Sequence, residues 1–489
     1  MENESGQGSN AKKNVITGLL WKFLENFGKQ GINFILQIIL ARILLPEDYG
    51  IIGITTVFIL ISNVFIQTGF SSALIQNKDV NDTDYSTVFY INLVISAFIY
   101  IILFFLTPII ASFYSEPTLT LVLRIQAINL FFGAINSVQY AVISRKLEFK
   151  KSFISSIFSI IIQGFVGIIM AYQGYGVWAL VISQLAYSIV ITIIMWFIVD
   201  FKPKLLFSFI RLKKLFSYSS KILFVTLLNT LFQNLHTLVI GRFFSKTTLG
   251  YYSRGQSIPY FLMNNTDGAM ASVMFPAFSH CQNDKKRLKE ILRRSIKTSF
   301  FVISPMLIGL FIVAKPLIVV LLTPKWIASV PILQLSCVIC LSWPFSANTH
   351  AINAIGRSDV TLVISIIIKT LTVLFLFVSI RWGLYAILVA EIVTSYIAVI
   401  ILLITSKKLL NYHILEQTRD VLPSIVLSLL MGIIIYFVKY LQLSVLFTLI
   451  LQVLLGAIFY VLLAWLLKFE CLNYLITTFI EILDRKKSK

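Results

Sequence analysis

Apolar runs of about twenty residues, separated by short polar loops, return along the whole length of this chain. That length is what an α-helix needs to cross a hydrocarbon core ~30 Å thick. No water reaches the backbone there, so only helices and closed barrels can span it. The alternation expected of barrel strands is absent. Of the 489 residues, 58% are hydrophobic and 13% charged, where a soluble domain has roughly 25% charged. The fold class is therefore an all-α integral membrane protein of about 14 transmembrane helices. The first is expected over 15–44, the seventh over 216–243, the eighth over 255–279 and the last two over 421–440 and 443–467. The polar start, MENESGQGSNAKKN, has no cleavage pattern, so the first helix is expected to be retained.

The net charge of +20 is distributed by side. Basic clusters fall in every second loop: Arg145, Lys146, Lys150 and Lys151; Lys202, Lys204, Arg211, Lys213 and Lys214; then Lys285 through Lys297; then the terminal DRKKSK. This positive-inside bias places both termini in the cytoplasm. Basic residues shared among loops beside anionic lipid heads give no reason to expect a nucleic-acid partner. One loop on that side, NKDVNDTD, is acidic, but Asp and Glu count little in orientation. Cys337 and Cys340 form a C-x-x-C inside an apolar helix without a second pair or a nearby His, so they read as small core residues and no metal is expected.

The chain also says some things twice. ARILLPEDYG (Ala41–Gly50) resembles GRFFSKTTLG (Gly241–Gly250), about 200 positions on. GYGVWALVISQLAYSIVITIIMWFI resembles RWGLYAILVAEIVTSYIAVIILLIT, with Gly176 on Gly383 and Gln184 on Glu391. Helices 1–6 then correspond to helices 7–12 as a parallel repeat of two six-helix lobes, with two extra C-terminal helices. The divisions are 1–200, a basic cytoplasmic connector 201–215, a second lobe 216–406, and 407–489.

The first helix carries Lys22, Asn26, Lys29, Asn33 and Gln37 on one face, with Glu25 at its margin. The seventh carries Asn229, Gln233 and Thr237 at the equivalent positions, with His236 beside them. Ionisable side chains at mid-membrane cost at least ~2.5 kcal/mol each and face a bundle interior or a wet cavity. We read the two stripes as cavity-lining and substrate-binding, with Arg42 and Arg242 at their outer ends. Interhelical hydrogen bonding is the plainer alternative. Arg124, His350 and Lys369 fit pairing within a bundle, and Lys439 fits snorkelling to an interface. Asp267 and Glu391 are candidates for coupling to a proton or sodium ion.

ARILLPEDYG, TGFSSALIQ, GRFFSKTTLGYYSRGQSIPY, the long run from FPAFSHCQNDKKRLKE to SPMLIGL, and TPKW carry a family likeness. The chain resembles the Wzx-type polysaccharide flippases of the multidrug/oligosaccharidyl-lipid/polysaccharide exporter superfamily. It departs from its own repeat where Ser-Lys-Thr-Thr stands in place of Pro-Glu-Asp. The resemblance implies a transporter, not an enzyme, in the bacterial inner or plasma membrane. It would flip a polyprenyl-pyrophosphate-linked oligosaccharide outward by alternating access, for capsule, O-antigen or another surface glycan. No cofactor is implied beyond a coupling proton or sodium. Membrane lipids, a polysaccharide polymerase and chain-length machinery are the implied partners.

Two rival functions remain at this level. A membrane glycosyltransferase or polymerase finds support in Asp82-Thr-Asp84, a D-x-D able to hold a metal-bound sugar phosphate. A drug exporter of the same superfamily would want an acidic cavity, whereas the first helix has two lysines against one glutamate on its polar side. No nucleotide-binding motif appears.

Overall fold

A computed structural model describes residues 2–68, 74–75, 80–281, 284–475 and 477. Among them there is no strand. The helices are α1 (Glu2–Ile43), α2 (Pro46–Asn63, running on as a π-turn Val64–Thr68), α3 (Asp82–Phe113), α4 (Thr118–Ala127), α5 (Asn129–Lys146), α6 (Phe149–Tyr172), α7 (Val177–Ile198), α8 (Phe209–Gln233), α9 (Leu235–Phe243), α10 (Lys246–His280), α11 (Lys285–Leu322), α12 (Ser329–Cys340), α13 (Ala347–Ala354), α14 (Ser358–Ser379), α15 (Leu384–Leu410), α16 (Ile414–Phe437) and α17 (Val445–Leu466). The chain packs as two units, Met1–Gly250 and Tyr251–Lys489.

Among the described residues eleven helices are long and apolar enough to span a membrane, twelve if one bent pair counts as a single span. The chain is an all-helical, multi-span membrane protein, and by this standard eleven or twelve of the fourteen expected crossings are found among the described residues. The first and eighth expected spans form long helices, α1 and α10, yet neither meets that standard of apolarity. In α1 the reason is its polar face.

The seventh expected span is not one helix. It bends by 43° at Asn234, between α8 and α9. Thr230 Oγ1 donates to Thr226 O at 2.8 Å and Asn234 Nδ2 to Thr230 O at 2.8 Å. Successive side-chain bonds to carbonyls four residues back compete with the helix's own ladder and bend it.

Turns recur where the repeat predicts them. Ser115 and Thr323 both have positive φ after a long helix, and positive φ recurs at Leu147 and Gly356, and at Gly176 and Gly383. Each pair is about 208 positions apart, so the two halves turn corners at equivalent places.

Within the first unit α1 packs along α6 through small residues. A Cβ on Gly28 would meet Ile157, and one on Gly164 would strike Leu36. Small residues let helix backbones approach where lipid supplies no hydrophobic drive between helices. In α3, Pro108 has no N–H for the Phe104 carbonyl. Arg124 of α4 supplies the missing donors, with Nη2 at 3.2 Å and Nε at 3.3 Å from that oxygen, and stacks over the Phe104 ring at 3.9 Å. In the second unit α11 and α16 meet through Ser304 and Ser428 hydroxyls 2.7 Å apart. Large apolar side chains such as Phe105, Phe165 and Phe197 point outward, as a lipid-facing surface requires. Lys439 reaches back over the Tyr436 ring at 3.5 Å, an interfacial posture.

Candidate functional site

The seam between α1 and α6 uses Gly18, Trp21, Glu25, Gly28, Leu36 and Leu40. The polar stripe lies one residue further round the helix and stays out of that seam. Asn26 and Gln37 are exposed, while Lys22, Lys29 and Asn33 are half-buried. Lys29 Nζ stands 5.4 Å over the Tyr187 ring of α7.

Glu25 departs from the expected placement. It was expected to line the cavity beside the lysines, but it is buried at 4% exposure within the seam. Its carboxylate accepts from Ser152 Oγ at 2.7 Å and Ser156 Oγ at 3.4 Å, and pairs with Lys22 Nζ at 3.0 Å. Helical phase explains the difference: residue 25 follows 18, 21 and 28 onto the packing face, whereas 22, 26, 29 and 33 turn away. Lys22 is thus partly neutralised, and Lys29 has no carboxylate within ion-pair distance among the described residues.

On α8, Asn229 and Gln233 are exposed, and on α9 His236 and Thr237 are half-buried, so this stripe too is accessible. Arg42 and Arg242 are both exposed, and Arg242 stacks 4.8 Å over the Phe113 ring at the end of α3.

The repeated decapeptides meet each other. A Cβ on Gly50 would overlap the Lys246 carbonyl, and one on Gly250 would overlap the Pro46 carbonyl. The first turns of α2 and α10 therefore cross backbone to backbone with reciprocal contacts, as a local two-fold requires. The divergent residues between these points supply complementary halves of one capping device. Asp48 Oδ2 accepts from the Leu45 N–H at 2.9 Å in the first copy; Ser245 Oγ accepts from the Thr248 N–H at 3.1 Å in the second. Lys246 bridges Glu116 at 3.1 Å and Glu47 at 3.7 Å, tying this crossing to the end of α3.

Of the coupling candidates, Glu391 is half-buried on α15 and accepts from Tyr260 Oη at 2.9 Å. Its repeat equivalent Gln184 accepts from Gln126 Nε2 at 3.1 Å. Both positions thus join helices within their own unit. The side chain of Asp267 lies outside the described residues.

The D-x-D loses its catalytic reading. Asp84 is buried and closes a reciprocal cap with Asn81, its Oδ2 3.0 Å from the Asn81 N–H, and takes Arg211 at 2.6 Å. Asp82 pairs with Lys204 at 2.5 Å. The acidic loop is thereby fastened to the basic connector, which accounts for its charge. No group of three metal-binding side chains occurs among the described residues, and Cys337 and Cys340 are buried free thiols.

Two features were not anticipated from the sequence. An apolar groove of about 500 Å³ in the second unit is lined by Ile308 and Phe311 of α11, Val338 of α12, and Leu429, Ile433 and Tyr436 of α16. Its residues are indistinguishable in sequence from ordinary core. The first unit also holds a column of amides, with Asn92 bonded to Ser137 and Asn136 to Thr192, both at 2.9 Å. Beside it the buried Gln139 amide has no partner among the described residues.

The profile of a family described as polysaccharide biosynthesis protein matches residues 39–331. The chain belongs to the polysaccharide biosynthesis protein family. Its relatives in that setting include the succinoglycan biosynthesis transport protein ExoT of Rhizobium meliloti (strain 1021), 27% identical over 66% of this chain and 65% of that protein. The lipopolysaccharide biosynthesis protein WzxC of Escherichia coli (strain K12) is 22% identical over 68% of each chain. In fold the family member resembles the lipid II flippase MurJ in its inward closed conformation, with a TM-score of 0.73, 18% identity, and coverage of 92% of this chain and 98% of that one.

Proposed function

We propose that this protein carries a polyprenyl-pyrophosphate-linked oligosaccharide from the cytoplasmic to the outer leaflet of the bacterial inner or plasma membrane, as a transporter without covalent chemistry. The observation that carries this reading is the α1 stripe from Lys22 to Gln37: Asn26, Lys29, Asn33 and Gln37 kept out of the helix seam, with Lys22 at its edge on Glu25, on a helix whose neighbours are apolar. Each sugar hydroxyl dragged bare through hydrocarbon costs roughly 4–8 kcal/mol on a cyclohexane scale. Passage therefore needs a polar, wet wall, while the polyprenyl chain needs an apolar one. Lys29, with Lys22 beside it, suits the pyrophosphate, and the outward-pointing apolar side chains suit the polyprenyl chain. Inside-negative potential drives an anion outward by about 2.3 kcal/mol per charge per 100 mV.

The reciprocal crossing of α2 and α10 serves as the outer closure, with Lys246, Glu47 and Glu116 as its latch. Alternating access then requires that crossing to open. Proton or sodium coupling falls to Glu391 or Asp267. Both termini lie in the cytoplasm, and a polymerase with its chain-length machinery receives the product. The names of ExoT, WzxC and MurJ, as succinoglycan biosynthesis transport protein, lipopolysaccharide biosynthesis protein and lipid II flippase, support the substrate class.

The test is a proteoliposome assay with a lipid-linked oligosaccharide labelled on one leaflet. Transfer should require the protein and fall at least tenfold with Lys29→Gln. Transfer at the wild-type rate in that variant would remove the stripe from the mechanism. Sugar polymerisation by the purified protein would overturn the transporter reading itself.

A further inference from the structure

A second charged region lies apart from the stripes, at the basic end of α11. Its first turns carry Lys285, Lys286, Arg287, Lys289, Arg293, Arg294 and Lys297. Leu288, Leu292 and Ile296 are buried, so the helix rests on its unit by one face and turns a basic face outward. A cleft of about 410 Å³ separates that basic face from residues 470–475. Arg293, Arg294, Lys297 and Thr298 line one wall; Cys471 and Tyr474 line the other.

The three cations differ in what they have left to offer. Arg293 grips Asp420 with two bonds of 2.6 and 2.7 Å, and Tyr412 Oη adds a third at 2.8 Å. Lys297 stands 3.3 Å from Asp420 and 3.8 Å from the exposed Glu470. Arg294 has no carboxylate within ion-pair distance among the described residues. Its guanidinium carbon lies 3.5 Å from the centre of the Tyr474 ring. Stacking of this kind leaves the in-plane N–H donors of the fork directed outward from the ring edge. Glu290 and Glu470 also border the cleft, which keeps its charge modest and puts the weight on the geometry of the Arg294 fork.

The cleft also sits on a boundary. Two turns beyond Arg294 and Thr298 on α11, Val302 and Met306 are exposed and apolar. At the end of α17, just before residues 470–475, Trp465, Leu466 and Leu467 are exposed as well. Charge therefore gives way to lipid-facing surface on both walls at one level. A free phosphate has no use for those apolar shelves; a phospholipid uses both parts.

We propose that this cleft is a binding site for an anionic glycerophospholipid of the cytoplasmic leaflet, its phosphate on the Arg294 fork with Lys297 and Thr298, and its acyl chains along Val302, Met306 and Trp465. Charge-assisted bonds from a guanidinium fork favour phosphate oxygens, and basic pockets at the cytoplasmic ends of membrane helices recognise anionic heads. The site fastens the C-terminal segment to the leaflet and stands whichever substrate the protein carries.

The full-length protein in phosphatidylcholine nanodiscs, titrated with phosphatidylglycerol, tests this by native mass spectrometry and by the shift in melting temperature. Wild type should retain phosphatidylglycerol and gain stability; glycerol phosphate in solution should do neither. Arg294→Gln should weaken retention about tenfold, and Tyr474→Leu, which removes the platform and no charge, should act in the same direction. Lys407→Gln, an exposed cation at the end of α15, should leave retention unchanged. Equal retention in Arg294→Gln and Tyr474→Leu, an equal loss in Lys407→Gln, or full competition by glycerol phosphate would each overturn the proposal.

Discussion

Alanine at Gly250 tests the crossing of α2 and α10 with one atom. The new Cβ would stand inside the Pro46 carbonyl, which is backbone held at the first turn of a helix and cannot rotate away as a side chain would. The helices must separate. Overpacking of this kind costs typically 1–3 kcal/mol, and each 1.4 kcal/mol is a factor of ten in an equilibrium. If the crossing is the outer closure, that strain falls on the closed state alone. The open fraction should rise about 5- to 150-fold, with little change in the stability of the open form. Gly50→Ala should do the same, because it strikes the Lys246 carbonyl by the reciprocal contact. The assay is labelling of a single cysteine placed at Ser112, exposed near the end of α3 and outside the Lys246–Glu47–Glu116 latch, by a membrane-impermeant thiol reagent in cells, in a background without the native cysteines. Faster labelling in both glycine variants is expected. Unchanged labelling together with an unchanged melting temperature would refute the reasoning, since the contact itself would then be absent.

Three other outcomes are expected. Lys22→Gln should lower thermal stability as well as transport, because it leaves the buried Glu25 carboxylate without its cation; Lys29→Gln should lower transport alone, and parallel melting and flipping measurements separate the two. Arg124→Leu should destabilise by about 1 kcal/mol, because the Phe104 carbonyl keeps only its bond from Thr107 Oγ1 at 2.9 Å, and Pro108→Ala should recover part of that loss by restoring an N–H, an interaction that a double-mutant cycle reads directly. Gln139→Leu, which replaces a buried amide without a partner, should be neutral or stabilising by up to ~2 kcal/mol in thermal unfolding, and a clear loss would mean the amide is engaged.

Much of this molecule follows from its sequence for a plain physical reason. In lipid the backbone must satisfy itself, so long apolar runs dictate helices. The repeat was legible because a duplicated chain keeps its glycines where the geometry needs them: Gly176 and Gly383 both sit at positive φ. The α1 stripe was legible because polar side chains inside a span have few places to go.

Other features needed three dimensions. A face of the α1 helix was readable, but not the boundary between its packing seam and its open side, and one residue of phase moved Glu25 from one to the other. The break at Asn234 depended on which of several nearby polar side chains turned back onto the helix. Asp82 and Asp84 took their partners from a connector about 120 residues away. The meaning of Gly50 and Gly250 lay in each other: the sequence could mark them as copies, but only packing made each the reason the other has no side chain.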